Sequence, residues 1–174
     1  SLCRDISAQK KAQERNEYLA FHDELTGLPN RVMGQYQLLQ AISVAQRHQA
    51  RLAVLYLDLD RFKYINDTHG HATGDLLLKG LAQRLGQLLR AEDCLCRLSA
   101  DEFMLVLPEL AAEHTVTPVA QTCERLLANL AVPFDLQGRP IHASLSIGVA
   151  VYPQDGRDGE TLMRNADTAL NEAK

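Results

Sequence analysis

The sequence predicts an α+β fold: a βαββαβ core whose central antiparallel sheet is flanked by helices, with extra N-terminal helices and a small hairpin late in the chain. Three observations predict it. Apolar runs of strand length alternate with stretches of helical period. Two such runs, Cys94 to Leu98 and Glu102 to Leu107, are separated only by a tight turn at Ser99 to Asp101. A helical stretch stands between the first apolar run and this hairpin and another follows it, the split βαβ order with helices on one face of the sheet.

The elements follow in order. Residues 1–20 open a charged helix with sparse apolar positions (Ile6, Ala12, Leu19), expected to be a signalling or linker helix. Such a helix has no face to bury alone and is expected to pack against its own copy or a neighbouring domain. Asn30 supplies an N-cap for a helix running to about His48. Leu52 to Leu57 (LAVLYL) reads as a buried strand ending at Asp58. From about Thr73 to Arg90, Leu76, Leu77, Leu81, Leu85, Leu88 and Leu89 recur at helical spacing. The hairpin comes next, its second strand ended by Pro108. A helix from about Glu113 to Leu130 follows, then a long strand Ile141 to Val151, with a partner near Pro133 to Leu136 across Gly138. The last helix starts near Asp158 and still runs at Asn171 to Lys174 without a Gly or Pro stop, as expected of a piece cut from a longer protein.

Composition narrows the classes of partner. A length of 174 residues with 46% hydrophobic content suits one globular core. A net charge of -4 gives no basic footprint for nucleic acid or an anionic membrane. No apolar run approaches the roughly 20 residues needed to span a bilayer, so the domain is expected to be cytoplasmic, whatever anchors the full-length protein elsewhere. Cys3, Cys94, Cys96 and Cys123 lack zinc-type spacing and are expected to stay reduced, Cys94 and Cys96 both buried in one strand. His69 and His71 form an H-x-H pair with no third ligand nearby.

In the predicted topology the end of the first strand lies beside the start of the third, so Asp58 faces Asp101 and Glu102. Carboxylates converging on a sheet rim repel, and a cation relieves that repulsion. Oxygen ligands with open positions suit magnesium, and phosphoryl transfer is the natural chemistry of such a site. Taken singly, each acid reads better as a solvated turn residue than as a catalytic one; placed together by topology, they favour the metal.

Five segments carry a resemblance: Asp23 to Arg31 (DELTGLPNR), Asp58 to Asp75 (DLDRFKYINDTHGHATGD), Arg97 to Phe103 (RLSADEF), Ser144 to Val149 (SLSIGV) and Ala166 to Lys174 (ADTALNEAK). In that order and spacing, residues 21–174 resemble the GGDEF family of diguanylate cyclases. The resemblance implies the palm-like fold of nucleotide cyclases, and a reaction in which two domains, each holding GTP, meet face to face to form cyclic di-GMP. By position, it implies that Asp58, the Leu59 carbonyl and Asp101 hold Mg2+ or Mn2+, and that Asp101 or Glu102 helps activate the attacking 3'-hydroxyl. Asn66 and Asp75 would read the guanine edge, and His71 would lie close to the nucleotide. The Phe62 and Lys63 amides and the Lys174 side chain would meet phosphates. The Asp23 to Arg31 block is expected to be structural, holding the leading helix to the domain.

The family's signature is Gly-Gly-Asp/Glu-Glu-Phe, and Ser99 and Ala100 replace its glycines ahead of Asp101, Glu102 and Phe103. If either position needs left-handed geometry, the penalty is about 1–2 kcal/mol per residue, and a Cβ against the nucleotide adds to it. Losses of about ten- to a thousandfold in rate would follow. Arg90 to Asp93 (RAED) matches the family's RxxD product site, where Arg90 and Asp93 would grip cyclic di-GMP; solvated ion pairing is the plain alternative. The flanks resemble a PAS exit helix and a domain followed by an EAL phosphodiesterase. The expectation is a degenerate module that binds GTP, regulates an EAL neighbour and dimerises in the full-length protein. A weak cyclase and a dimerisation scaffold that binds nothing are the alternatives.

Overall fold

The computed structural model describes residues 1–174. Helix α1 (Leu2–Phe21) buries no residue, as its charged composition requires. It joins the body through an Asn30 side-chain bond to the Ala20 carbonyl (3.0 Å) and a bridge between His22 and Pro29. Asn30 also caps α2 (Arg31–His48), accepting from the Met33 amide at 3.1 Å.

Strand β1 (Arg51–Leu59) is buried along nearly its whole length because it occupies the middle of a sheet covered on both faces. Helices α3 (Phe62–His69) and α4 (His71–Leu88) follow, then the hairpin of β2 (Cys94–Ser99) and β3 (Glu102–Leu110). After α5 (Val116–Leu130) come β4 (Phe134–Leu136), β5 (Arg139–Ile141), β6 (Leu145–Tyr152) and α6 (Gly159–Ala173), the last capped by Asp158. The sheet order is β2-β3-β1-β6, with β1 antiparallel to both neighbours. This is the palm-like α+β architecture.

Alternation along β1 divides the core. Ala53, Leu55, Leu57 and Leu59 face α3, α4 and α5, whereas Leu52, Val54 and Tyr56 face α2 and α6. Helices therefore lie on both faces, not one: the elements outside the βαββαβ unit, α2 and α6, supply the second layer. Helix α6 lies close on β6, where a Cβ on Gly148 would meet the Ala166 carbonyl and the Leu170 amide at 2.2 Å.

Three further expectations are corrected. Pro108 does not end β3, which runs on to Leu110. Beyond Val106 the strand has lost β2 as a neighbour, and a bulge that places Glu109 at φ +53 absorbs the proline. The strand expected from Ile141 is interrupted: Arg139–Ile141 turns back on β4 as a separate hairpin, and β6 begins at Leu145. Cys94, on the strand edge, is only partly buried, while Cys96 is 1% exposed against Gly34.

Candidate functional site

The register sets Asp58 directly opposite Glu102, as the predicted topology required. Asp58 is 4% exposed, the only carboxylate buried to that degree. Its Oδ2 accepts from Lys174 Nζ at the end of α6, and its Oδ1 is buried with no partner. A buried anionic oxygen without a donor is costly, so the arrangement favours a positive ligand at that point.

Asp101 lies beside it. Burial comes first, and the neighbouring Asp58 carboxylate, which would accept from a protonated Asp101 and whose charge opposes its ionisation, adds to it; together they push its carboxyl up to about 6. Two carboxylates that raise one another's proton affinity are a pair a divalent cation would relieve. The Leu59 amide donates to the Asp101 carbonyl at 3.2 Å and pins the hairpin to β1. No group of three or more His, Cys, Asp or Glu side chains gathers as a metal cluster. Two carboxylates and a nearby backbone carbonyl form a sparse set, which fits Mg2+ or Mn2+ completed by phosphate oxygens and not a closed structural metal site.

Asp101 and Lys174 open onto a cleft of about 1040 Å³ shared with Leu59, Phe62 and Lys63. The β1–α3 corner of this cleft is fixed by Asp60, whose carboxylate accepts from Ser144 and Ser146, each at 2.6 Å. Arg61 turns the chain at φ +55, which leaves Phe62 and Lys63 as the first residues of α3, where helix amides lack intrahelical acceptors. Sequence reasoning passed over Asp60, Ser144 and Ser146, although Asp60 lies two residues from Asp58.

Asn66, His71 and Asp75 lie outside that cleft, at the junction of α3 and α4. The Asn66 Oδ1 is buried without a partner, in space that exists because residue 74 is glycine: a Cβ there would meet Oδ1 at 1.8 Å. Asp75, one residue on, is exposed, as is His71. His69, not His71, lines the cleft.

At the signature, neither Ser99 nor Ala100 has positive φ. The left-handed penalty considered for them does not arise in this conformation, and both side chains are exposed. Arg97 holds the turn, donating to the Ser99 carbonyl at 3.2 Å and the Ala100 carbonyl at 2.7 Å. Glu102 does not line the Asp101 cleft. It faces a second cavity of about 650 Å³ between α2 and α6, with Arg31, Tyr56 and Arg164.

Arg90 and Asp93 lie after α4, away from both cavities. Asp93 accepts from the Arg90 amide at 2.9 Å, closing the turn, and Arg90 Nη1 stands 4.0 Å from Glu92. The Arg90 side chain lines a separate cavity of about 400 Å³ with Arg125 on α5.

Comparison with known proteins defines the class. The family described as "Diguanylate cyclase, GGDEF domain" matches residues 20–174, and the chain belongs to it. It is 43% identical over 156 residues to the bifunctional diguanylate cyclase/cyclic di-GMP phosphodiesterase MucR of Pseudomonas aeruginosa, covering 90% of this chain and 22% of MucR. It is 36% identical over 170 residues to the cyclic di-GMP phosphodiesterase PdeR of Escherichia coli, covering 98% of this chain and 25% of PdeR. Among solved structures, the GGDEF domain of TpbB (YfiN) from P. aeruginosa matches with a TM-score of 0.84 and 38% identity, covering 88% of each chain. The chain thus spans about a fifth to a quarter of these two curated relatives. It is a GGDEF domain of cyclic di-GMP signalling, and none of its helices is long and apolar enough to cross a membrane.

Proposed function

We propose that this domain binds GTP with a divalent cation and serves as a regulatory module for an adjoining cyclic di-GMP phosphodiesterase domain of the EAL type. The observation that carries the reading is the buried, unpartnered Oδ1 of Asp58 beside the proton-hungry Asp101. Asp58, the Leu59 carbonyl and Asp101 would hold Mg2+ or Mn2+, which when bound neutralises phosphate oxygens. The Phe62 and Lys63 amides and the Lys174 ammonium meet the remaining phosphate charge. The orphaned Asn66 amide oxygen accepts from the guanine edge with Asp75 beside it, and His71 borders the same end. An adjoining phosphodiesterase domain is in keeping with the activities for which MucR and PdeR are named. Residues 1–20 act as the linker to an upstream PAS-type sensor, through which the protein dimerises, and Arg90 with Asp93 forms a cyclic di-GMP site.

A weak cyclase is the second reading, favoured by one specific observation: Ser99 and Ala100 adopt their turn without positive φ. The SADEF signature, degenerate by the family pattern, therefore carries only the steric burden of two Cβ atoms near the nucleotide. Two measurements with GTP and Mg2+ decide the matter, affinity by calorimetry and cyclic di-GMP formation by chromatography. Binding without product is expected. Steady turnover abolished by Asp101→Ala would establish the cyclase instead, and absence of GTP binding would leave only a scaffold.

A further inference from the structure

The two aspartates at the end of β1 are used differently. Asp58 keeps one oxygen without a partner, whereas both oxygens of Asp60 are taken: the Ser144 hydroxyl donates to Oδ2 and the Ser146 hydroxyl to Oδ1, each at 2.6 Å. That length lies at the short end for a hydroxyl on a carboxylate, where such bonds are strong. The Asp60 amide adds a third bond, donating to the Ser144 carbonyl at 2.9 Å. The β1–β6 ladder ends one residue earlier, with Leu59 opposite Leu145. Asp60 therefore carries the pairing a step past the strand, by side chain as well as backbone.

The next residue is the strained one. Arg61 is left-handed at φ +55 and ψ +34, a conformation that costs any residue bearing a Cβ. Its carbonyl accepts from the Ile65 amide at 3.1 Å, the first hydrogen bond of α3. The Phe62 and Lys63 amides thus precede the first intrahelical donor, and both residues line the cleft. The direction in which these amides point is set by the turn at Arg61. A relaxed, right-handed or extended backbone at residue 61 would aim them elsewhere.

We propose that Asp60 is a positioning residue for phosphate recognition: clamped by Ser144 and Ser146, it holds Arg61 in its left-handed turn and so presents the first amides of α3 to a triphosphate, without itself binding the cation. This rests on the reading of the cleft as a GTP site, and deepens it. Strand β6 thereby contributes to ligand binding through two hydroxyls that never touch the ligand. Without the clamp the presented turn becomes one conformer among several, and affinity falls in proportion to its population.

Calorimetry of the 174-residue chain with inorganic triphosphate and Mg2+ tests this independently of any turnover. Asp60→Ala is expected to weaken triphosphate binding about tenfold, the loss from a turn then populated about a tenth of the time. Ser144→Ala combined with Ser146→Ala is expected to do the same, and decides the matter should Asp60→Ala not fold. Asp60→Asn is expected to stay within about twofold of the parent, because its amide accepts from one hydroxyl and donates to the other. A cation ligand would not be replaced in that way. Arg61→Gly added to Asp60→Ala is expected to bind about threefold tighter than Arg61→Ala added to it, since both lack the guanidinium and only glycine reaches the turn freely. Unchanged affinity in Asp60→Ala or in the serine pair overturns the clamp. So does an Asp60→Asn as weak as Asp60→Ala, or equal binding by glycine and alanine at residue 61. If the parent binds neither triphosphate nor GTP, the nucleotide site falls and the clamp's role with it. Binding in the parent that is indifferent to residues 60, 144 and 146 removes the clamp alone.

Discussion

Asp23 and Arg97, 74 positions apart, meet through two hydrogen bonds of 3.0 and 3.1 Å from one guanidinium nitrogen to both carboxylate oxygens. The remaining nitrogens of Arg97 hold the Ser99 and Ala100 carbonyls. One side chain thus ties the loop after α1 to the signature hairpin. Both partners are largely shielded, with 13% and 21% of their side chains exposed, so the pair is worth more than a surface bridge.

Arg97→Ala is expected to lower unfolding free energy by about 2–4 kcal/mol, because it strands Asp23 and frees the hairpin carbonyls. Urea denaturation checks it. Burial raises the Asp23 pKa, but the hydrogen bonds from Thr26 and Arg97, together with the Arg97 charge, outweigh it and leave the group below 3.8. A depressed folded-state pKa gives stability that is present above the unfolded value and lost as pH falls through the folded one. Asp23→Asn is therefore expected to flatten the loss of stability below about pH 4.

Asp101 has the opposite sign. Its folded-state value of about 6 lies above 3.8, so its contribution is most favourable below 3.8 and is lost as pH rises through 6. Asp101→Asn is expected to stabilise the cation-free protein at neutral pH by about 1 kcal/mol, a figure discounted because the group is half exposed. If the proposed cation site holds, Mg2+ is expected to stabilise the parent and the same variant to lose that stabilisation. Thermal melts with and without Mg2+ read both effects.

Gly74→Ala is expected to push the Asn66 side chain out of its position, since the new methyl would lie 1.8 Å from Oδ1. If Asn66 reads guanine, GTP affinity falls about tenfold or more while affinity for inorganic triphosphate is kept. Competition calorimetry with the two ligands separates base reading from phosphate binding.

Gly148→Ala places a methyl against the backbone of α6 at the Ala166 carbonyl and the Leu170 amide. Backbone cannot yield as a side-chain tip can, so a loss of about 3 kcal/mol or more is expected, with α6 displaced. The ammonium of Lys174 rides on that helix, so GTP affinity should fall as well. Circular dichroism melts and calorimetry on one preparation check the pair of effects.

Much of this was legible from residue order. The strand LAVLYL, the Asn30 and Asp158 helix starts and the opposition of Asp58 to Glu102 follow from period, capping chemistry and topology. Pro108 misled because its tolerance depends on where β2 stops, a tertiary fact. The second helical layer was missed because α2 and α6 stand outside the repeating unit that defines the core. The divergence of Asp101 and Glu102 was not read, because Asp101 belongs to the turn and only Glu102 to β3. Nor were the 2.6 Å bonds of Ser144 and Ser146 to Asp60, because they need the register of β6 on β1.

The bond between Lys174 and Asp58 has a consequence for the order of events in the cell. An ammonium lodged on the most deeply buried acid compensates one of its two oxygens, so the fold itself supplies a counterion to part of its interior charge. The hydrogen bond to Asp58 raises the lysine's own pKa against the opposing effect of burial, and it keeps its proton throughout the physiological range. Under the proposed function, maturation of the polypeptide would be separated from its loading: the chain would reach its native shape with this internal counterion in place, and the lysine would turn to a triphosphate only once a metal displaced it.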